Sequence, residues 1–208
     1  MMRRLLPCLC LVLLGASASF AQNRDYPKWD FTAAFTLNNF ATPPPTTRHN
    51  LYGFTAAVGG NFRKWAAVEG DITYSRGTIA GTSRSLFTYI IGPRFTKRIT
   101  PGGGGSTRHN HPGAPDVVTK PSKFAYEPFV HALFGGGHLN GFATGAGTST
   151  NGWAGKMGGG LDIVAGKHIA IRVVQIDYYR YHGHLPVGTI FPKQRLNNVA
   201  LTFGIRLF

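Results

Sequence analysis

The chain has 208 residues, 28 of them glycine, with a formal charge of +14 although only 14% of residues are charged. That length suits one domain, and no run of about 20 apolar residues follows the N-terminal segment, which excludes a later transmembrane helix. Helical periodicity is scarce, whereas short alternating segments recur between Gly, Pro, Asn and Ser, the pattern of an all-β barrel or sandwich.

The first segment is a leader. Arg3 and Arg4 precede an apolar stretch over 5–14, and Ser19-Phe20-Ala21 stands before Gln22 as a small-x-small cleavage site. This predicts a secretory signal peptide over 1–21 and a mature domain over 22–208. Both cysteines, Cys8 and Cys10, fall in the leader. The mature domain is therefore expected to be stable outside the cytoplasm without disulfides.

Eight strands are predicted in the mature domain, over 28–38, 51–62, 65–75, 86–95, 126–136, 153–163, 169–179 and 197–208. Most alternate with period two. In the first, Trp29, Phe31, Phe35 and Leu37 share one face, while Asp30, Thr32, Thr36 and Asn38 share the other. The last sets Val199, Leu201, Phe203, Ile205 and Leu207 against Asn198, Ala200, Thr202, Gly204 and Arg206, and closes on the aromatic Phe208. The fifth is apolar on both faces, and only His131 indicates its phase. In the seventh, Arg172 and Asp177 have opposite parity. Either a bulge near Val173-Val174 turns both inward, or one charge sits near a membrane interface; the sequence leaves both open.

Eight strands of 9–11 residues match an antiparallel, up-and-down transmembrane barrel with both termini on the periplasmic side. The aromatics then fall into two bands. Trp29, Phe62, Trp65, Phe95, Tyr126 and Phe208 lie near one rim; Phe40, Tyr52, Tyr74, Phe87, Trp153, Tyr178, Tyr179 and Tyr181 lie near the other. Such girdles are expected at both membrane interfaces.

At this point the chain resembles the outer-membrane β-barrel domain family, the group that includes the transmembrane domain of outer-membrane protein A. The resemblance rests on the leader, the segment Asn61-Phe62-Arg63-Lys64-Trp65-Ala66-Ala67-Val68-Glu69-Gly70-Asp71, Gly92-Pro93-Arg94, Pro128-Phe129-Val130-His131-Ala132 and Phe208. It implies a location in the bacterial outer membrane, insertion by the barrel-assembly machinery, and Phe208 as the insertion signal. Arg206 departs from that family's pattern, which has a large apolar residue two places before the terminal aromatic.

The acidic residues carry the sharpest reading. Asp30, Glu69, Asp71 and Asp162 fall on inward positions, and Asp177 joins them if the bulge exists. Arg94, Lys156, Arg172 and Arg206 are the inward cations. An eight-stranded barrel is just wide enough for its side chains to fill, and charges inside it must pair to offset desolvation. The expectation is a lumenal ion-pair network that plugs the barrel.

The other polar motifs carry less. His109-Asn110-His111 and His182-Gly183-His184 lack further ligands for a zinc site, so no metal and no cofactor are expected. No Gly-x-Ser-x-Gly elbow occurs; Ser75, Ser85, His138 and His182 lie near the outer rim without a catalytic spacing, and no enzyme is expected. The segment 96–123 reads as a flexible Gly/Pro-rich insertion that could touch peptidoglycan or a periplasmic partner. Nucleic acid is not expected as a partner, because no basic-aromatic motif recurs. The basic charge points instead to outer-membrane lipid and lipopolysaccharide. The expected role is structural: an anchor presenting surface loops near 42–50, 76–85, 138–151 and 181–195 to a ligand. A narrow pore for ions or small solutes is the alternative, a lipid A-modifying enzyme is third, and a soluble lipocalin-like barrel is fourth.

Overall fold

A computed structural model describes residues 26–41, 48–79, 82–101, 124–140, 149–184 and 193–208. The leader over 1–21, most of the expected insertion (102–123), His109 to His111 and the side chain of Phe40 lie outside the described residues.

Eight strands follow in order: β1 (Trp29–Ala41), β2 (Arg48–Arg63), β3 (Ala66–Ile79), β4 (Thr82–Thr96), β5 (Ala125–Asn140), β6 (Ser149–Val164), β7 (Ile169–His184) and β8 (Lys193–Leu207). Each pairs antiparallel with its sequence neighbour, and β1 closes on β8 with Phe31 opposite Leu207 and Asn39 opposite Val199. Closure removes every sheet edge, which is what backbone needs where no water can satisfy it.

Burial is inverted relative to a soluble barrel. Phe54 is 70% exposed and Phe134 62%, whereas Asp162, Asp177 and Asn198 are at 0%. This overturns the soluble lipocalin-like alternative, which would hold its apolar face inside. On every strand the outward face changes from apolar to polar near the outer end: Leu37 to Asn39, Tyr52 to Asn50, Tyr74 to Arg76, Phe87 to Ser85, Gly136 to His138, Trp153 to Asn151, Tyr178 to Arg180 and Val199 to Asn197. On β8 the apolar face spans Val199 to Leu207. At about 3.4 Å per residue and a tilt near 40° this covers about 21 Å of height, close to the ~25 Å apolar band of such barrels.

The strands extend beyond the predicted limits, chiefly at the outer end. Gly77, Thr78 and Ile79 pair with Arg84, Ser83 and Thr82, and β5 and β6 pair as far as Asn140 opposite Ser149. Much of the four expected surface loops is therefore rigid sheet. Hydrophobic alternation stops at the top of the apolar belt, but backbone pairing needs no apolar side chain and continues above it. At the opposite rim, residues after β4 run along β5 through an Ile99–Tyr126 bridge, so the start of the expected flexible insertion is ordered strand pairing.

The seventh strand carries the bulge. Leu161 pairs with Val174 but Asp162 with Arg172, and the β7–β8 register shifts between Arg172 and Gln175. One extra residue restores inward parity, and Arg172, Gln175 and Asp177 are all buried. The same phase turns Tyr179 and Tyr181 inward, at 4% and 0% exposure, so neither belongs to the outer aromatic girdle. The Tyr181 ring fits between two glycines: a Cβ on Gly137 would lie 3.0 Å from it and one on Gly183 2.7 Å.

The exterior gives a direct test. Phe203 lies midway along the outward face of β8 and touches the Phe35 ring at 5.5 Å. Phe203→Arg should cost about 2–4 kcal/mol of stability in a bilayer, read from urea-dependent folding into phosphatidylcholine vesicles.

Candidate functional site

The lumen is the candidate site, and alternation on all eight strands aims its side chains there. It has two halves of different chemistry.

The half near the termini is ionic. Arg94 on β4 lies between two carboxylates: Nη1 donates to Glu69 Oε2 at 2.7 Å and to Asp30 Oδ1 at 3.0 Å, and Nη2 to Asp30 Oδ2 at 2.5 Å. Asn61 Nδ2 donates to the same Asp30 oxygen at 2.7 Å. Gly59 makes room, since a Cβ there would lie 2.7 Å from Asp30 Oδ1. Glu69 passes to His131, whose Nδ1 lies 2.9 Å from Glu69 Oε1 while Nε2 lies 2.9 Å from Asp177 Oδ1. Both ring nitrogens face carboxylates, and because a neutral imidazole has one donor, this arrangement suits the protonated ring.

From Asp177 the network divides. One arm runs through Gln175, which donates to Asp177 Oδ2 at 2.7 Å and accepts from Arg172 Nη1 at 2.7 Å. Arg172 grips Asp162 with two bonds of 2.8 and 3.1 Å, and its guanidinium lies 4.3 Å from the Phe129 ring centroid. Arg206 Nε lies 3.3 Å from Asp162. Arg206 also pairs with Glu127, which takes Arg98 at the mouth. The other arm runs through Lys156, 3.8 Å from Asp177 and 2.7 Å from Asp71. Asp71 accepts from Thr73, and a hydroxyl chain continues through Thr55 and Thr36 to Thr202 with steps of 2.7–3.1 Å.

Every strand contributes to this one network. All nine lumenal residues named from the sequence lie in it. Its six carboxylates face Arg94, Lys156, Arg172, Arg206 and His131 in the lumen and Arg98 at its mouth, so each carboxylate has a basic group beside it. Phe208 sits at the rim, where its N–H donates to the His168 carbonyl at 3.1 Å and Arg206 stands 5.3 Å from its ring.

The outer half is apolar. Leu51, Leu86, Ile90, Leu133, Leu139, Ala154, Tyr179 and Tyr181 form one buried cluster, and Tyr181 Oη donates to the Thr150 carbonyl at 2.9 Å. Reading the lumen as charge alone missed this plug. Its signal was available: Leu86, Ile90 and Leu133 are apolar residues at inward parity. Glu127 was missed as well, although it shares its parity with His131.

Of the serine and histidine residues of the outer rim, Ser85 and His138 both face outward and are linked through Asn140, which donates to Ser85 Oγ at 3.5 Å and lies 3.1 Å from His138 Nε2; the other two stand apart. Ser75 is buried inside the barrel. His138 faces outward and bonds Asn151 at 2.6 Å, and His182 stacks on Trp153 outside the wall, with ring centroids 5.7 Å apart.

No protein-family model matches the chain, and no curated protein matches it in sequence. Solved structures do match. Neisserial surface protein A superposes with a TM-score of 0.55 at 11% identity, covering 87% of this chain and 97% of that one. The attachment invasion locus protein Ail of Yersinia pestis gives 0.43 at 14% identity over 86% and 97%. The outer membrane protein OprG from Pseudomonas aeruginosa gives 0.42 at 9% over 86% and 94%. At these identities the likeness is one of fold. That fold and the apolar exterior together make the chain a β-barrel protein of the bacterial outer membrane.

The ion network predicts non-additive energetics. Arg94→Met leaves Asp30 without its cation and Glu69 with His131 alone and should cost about 3–5 kcal/mol, whereas Asp30→Asn, Glu69→Gln and Arg94→Met together should recover most of that loss. Equilibrium urea titration of the three single variants and the triple variant checks it.

Proposed function

We propose that this protein is a closed, rigid membrane anchor whose outer end makes surface contacts, with neither a conducting nor a catalytic role. The supporting observation is the filled lumen: an ionic network tied to all eight strands beneath an apolar plug. A solute path would have to part both. Opening the lower half exposes paired charges to one another's loss, and opening the upper half separates packed leucine and tyrosine side chains. The narrow-pore reading has no observation of comparable weight behind it. Against the lipid A-modifying reading, Ser75 lies inside the wall, and Ser85 and His138 outside it meet through Asn140 rather than through a direct hydrogen bond.

Rigidity suits presentation. The outer hairpins hold their strands paired above the apolar belt, so the segments joining them are carried on fixed stems. Contact with a surface ligand belongs to those segments and stems, and a periplasmic contact, such as peptidoglycan, to the segment after Pro101. Assembly into the membrane by the barrel-assembly machinery is part of the same proposal.

Planar-bilayer recording of the refolded protein should give no steady ohmic conductance, and a stable open level from monomer would overturn the closed reading. Replacing 141–148 and 185–192 with short Gly/Ser linkers should abolish binding of expressing cells to host or abiotic surfaces while leaving heat-modifiable mobility on detergent gels intact.

A further inference from the structure

The barrel mouth beside the two chain ends holds a polar cleft of about 100 Å³, walled by Arg63, Lys64, Arg98 and Arg206 and by Asp30 and Glu127. In an outer-membrane barrel this mouth faces the periplasm. Four cations line it against two carboxylates, and Asp30 is already held by Arg94 and Asn61. Glu127 is the carboxylate that the cleft's own arginines share: Arg98 Nε donates to Oε1 and Arg206 Nη2 to Oε2.

The cleft stands on fixed backbone. Trp65 stacks on Phe95 with ring centroids 5.9 Å apart, and the Thr96 N–H donates to the Trp65 carbonyl at 2.9 Å, which ties the turn at Arg63 and Lys64 to the end of β4. The Lys97 N–H donates to the Pro128 carbonyl at 3.0 Å and Ile99 pairs with Tyr126, so Arg98 sits on an extension of the sheet. Tyr26 Oη donates to the Phe62 carbonyl at 3.1 Å and holds the residues before β1 against the end of β2. A ligand entering here need not order these walls first, which removes one of the main costs of binding.

Two signs of charge in so small a space select the ligand. Arg63 and Arg98 are exposed at the cleft. A guanidinium carries five N–H donors in a fork that matches a carboxylate, and Arg98 spends its Nε on Glu127. A carboxylate offers about four acceptor positions, so Glu127 can take an ammonium beside its two arginines. A phosphate or a lone carboxylate would satisfy the arginines but set its charge next to Asp30 and Glu127 with nothing to offer them. A lone amine would meet four cations. The end of an α-amino acid, with carboxylate and ammonium on one carbon, answers both signs. We propose that this mouth binds the zwitterionic end of an α-amino acid, its carboxylate on Arg63 and Arg98 and its ammonium on Glu127. Free amino acids carry this group, and so does a cell-wall stem peptide through the uncrosslinked end of a diamino diacid. The proposal rests on the membrane-anchor reading and gives the periplasmic end of the anchor a ligand class.

The test uses the full mature chain refolded in detergent micelles, with the amide signals of Arg63, Thr96 and Lys97 followed by NMR. Diaminopimelate, its N-acetylated and methyl-esterified forms, inorganic phosphate, and a muropeptide with a free diaminopimelate end are titrated separately. Diaminopimelate should give a saturable shift, and each blocked form and phosphate should bind about tenfold more weakly or worse. Arg98→Gln should weaken diaminopimelate about tenfold. Arg98→Lys should retain part of the binding, and Arg76→Gln at the opposite rim should leave it unchanged. If Arg98→Gln does not fold, the blocked ligands decide. No saturable shift with diaminopimelate, a blocked form that binds as tightly, or an unaffected Arg98→Gln variant overturns the inference. Phosphate binding as tightly reduces the cleft to a simple anion site and overturns it as well. Binding of the muropeptide supports the cell wall as the source of the ligand; binding of diaminopimelate without the muropeptide supports a free amino acid. Conductance and heat-modifiable mobility are read separately, so failure here leaves the anchor reading standing.

Discussion

The His131 ring between Glu69 and Asp177 is the contact on which the rest of the lumen depends. Three carboxylates, Glu69, Asp71 and Asp177, lie close together in a cylinder too narrow to hydrate them, and mutual repulsion would be severe at low dielectric. A protonated ring, 2.9 Å from each partner, neutralises part of that charge. It also joins the Arg94 cluster on β1–β4 to the Arg172 cluster on β6–β7. Lys156 supplies the remaining counter-charge from β6. Without the bridge, the two clusters would be separate islands on opposite walls.

That bridge depends in turn on a backbone irregularity. Asp177 has the wrong parity relative to Arg172 for an unbroken strand. The extra residue at the β7 bulge brings Arg172, Gln175 and Asp177 onto one face, and Gln175 then spans the gap with bonds of 2.7 Å at each end. A bulge leaves a residue unpaired in the ladder. Here it is offset by two buried charges gaining their partners. The outer half of the lumen needs no such device, because Leu133, Leu139 and Tyr181 fill space by shape, with glycines at Gly137 and Gly183 receiving the tyrosine ring.

Period-two patterning made the strands and their inward faces legible, because each outward position must be apolar and each inward acid is costly unless paired. The pattern was blind where its premise failed. Above the apolar belt both faces are polar, so the continuing strands looked like loops. On β5 both faces are apolar, and Phe129 and Leu133 gave no phase without His131. The sequence could state the alternatives at Val173-Val174 but could not choose between them, since the choice belongs to cross-strand register with β6 and β8. Glu127 escaped notice although its strand and parity were in hand. Its role becomes evident only when Arg206 and Arg98, far apart in sequence, converge on it.

The strong positive charge of the chain follows from this same architecture. Carboxylates in the lumen can be satisfied only by cations brought in beside them, and the lumen uses nearly equal numbers of each. Cations in excess of that pairing must stand outside, and the apolar belt cannot hold them. They are confined to its two rims, where the aromatic girdle ends and headgroups begin. The +14 of the sequence therefore gives little indication of a soluble polyanionic partner. Among the described residues, the excess positive charge is the remainder left after an acidic interior has been paired, and it stands at the rims of the apolar belt.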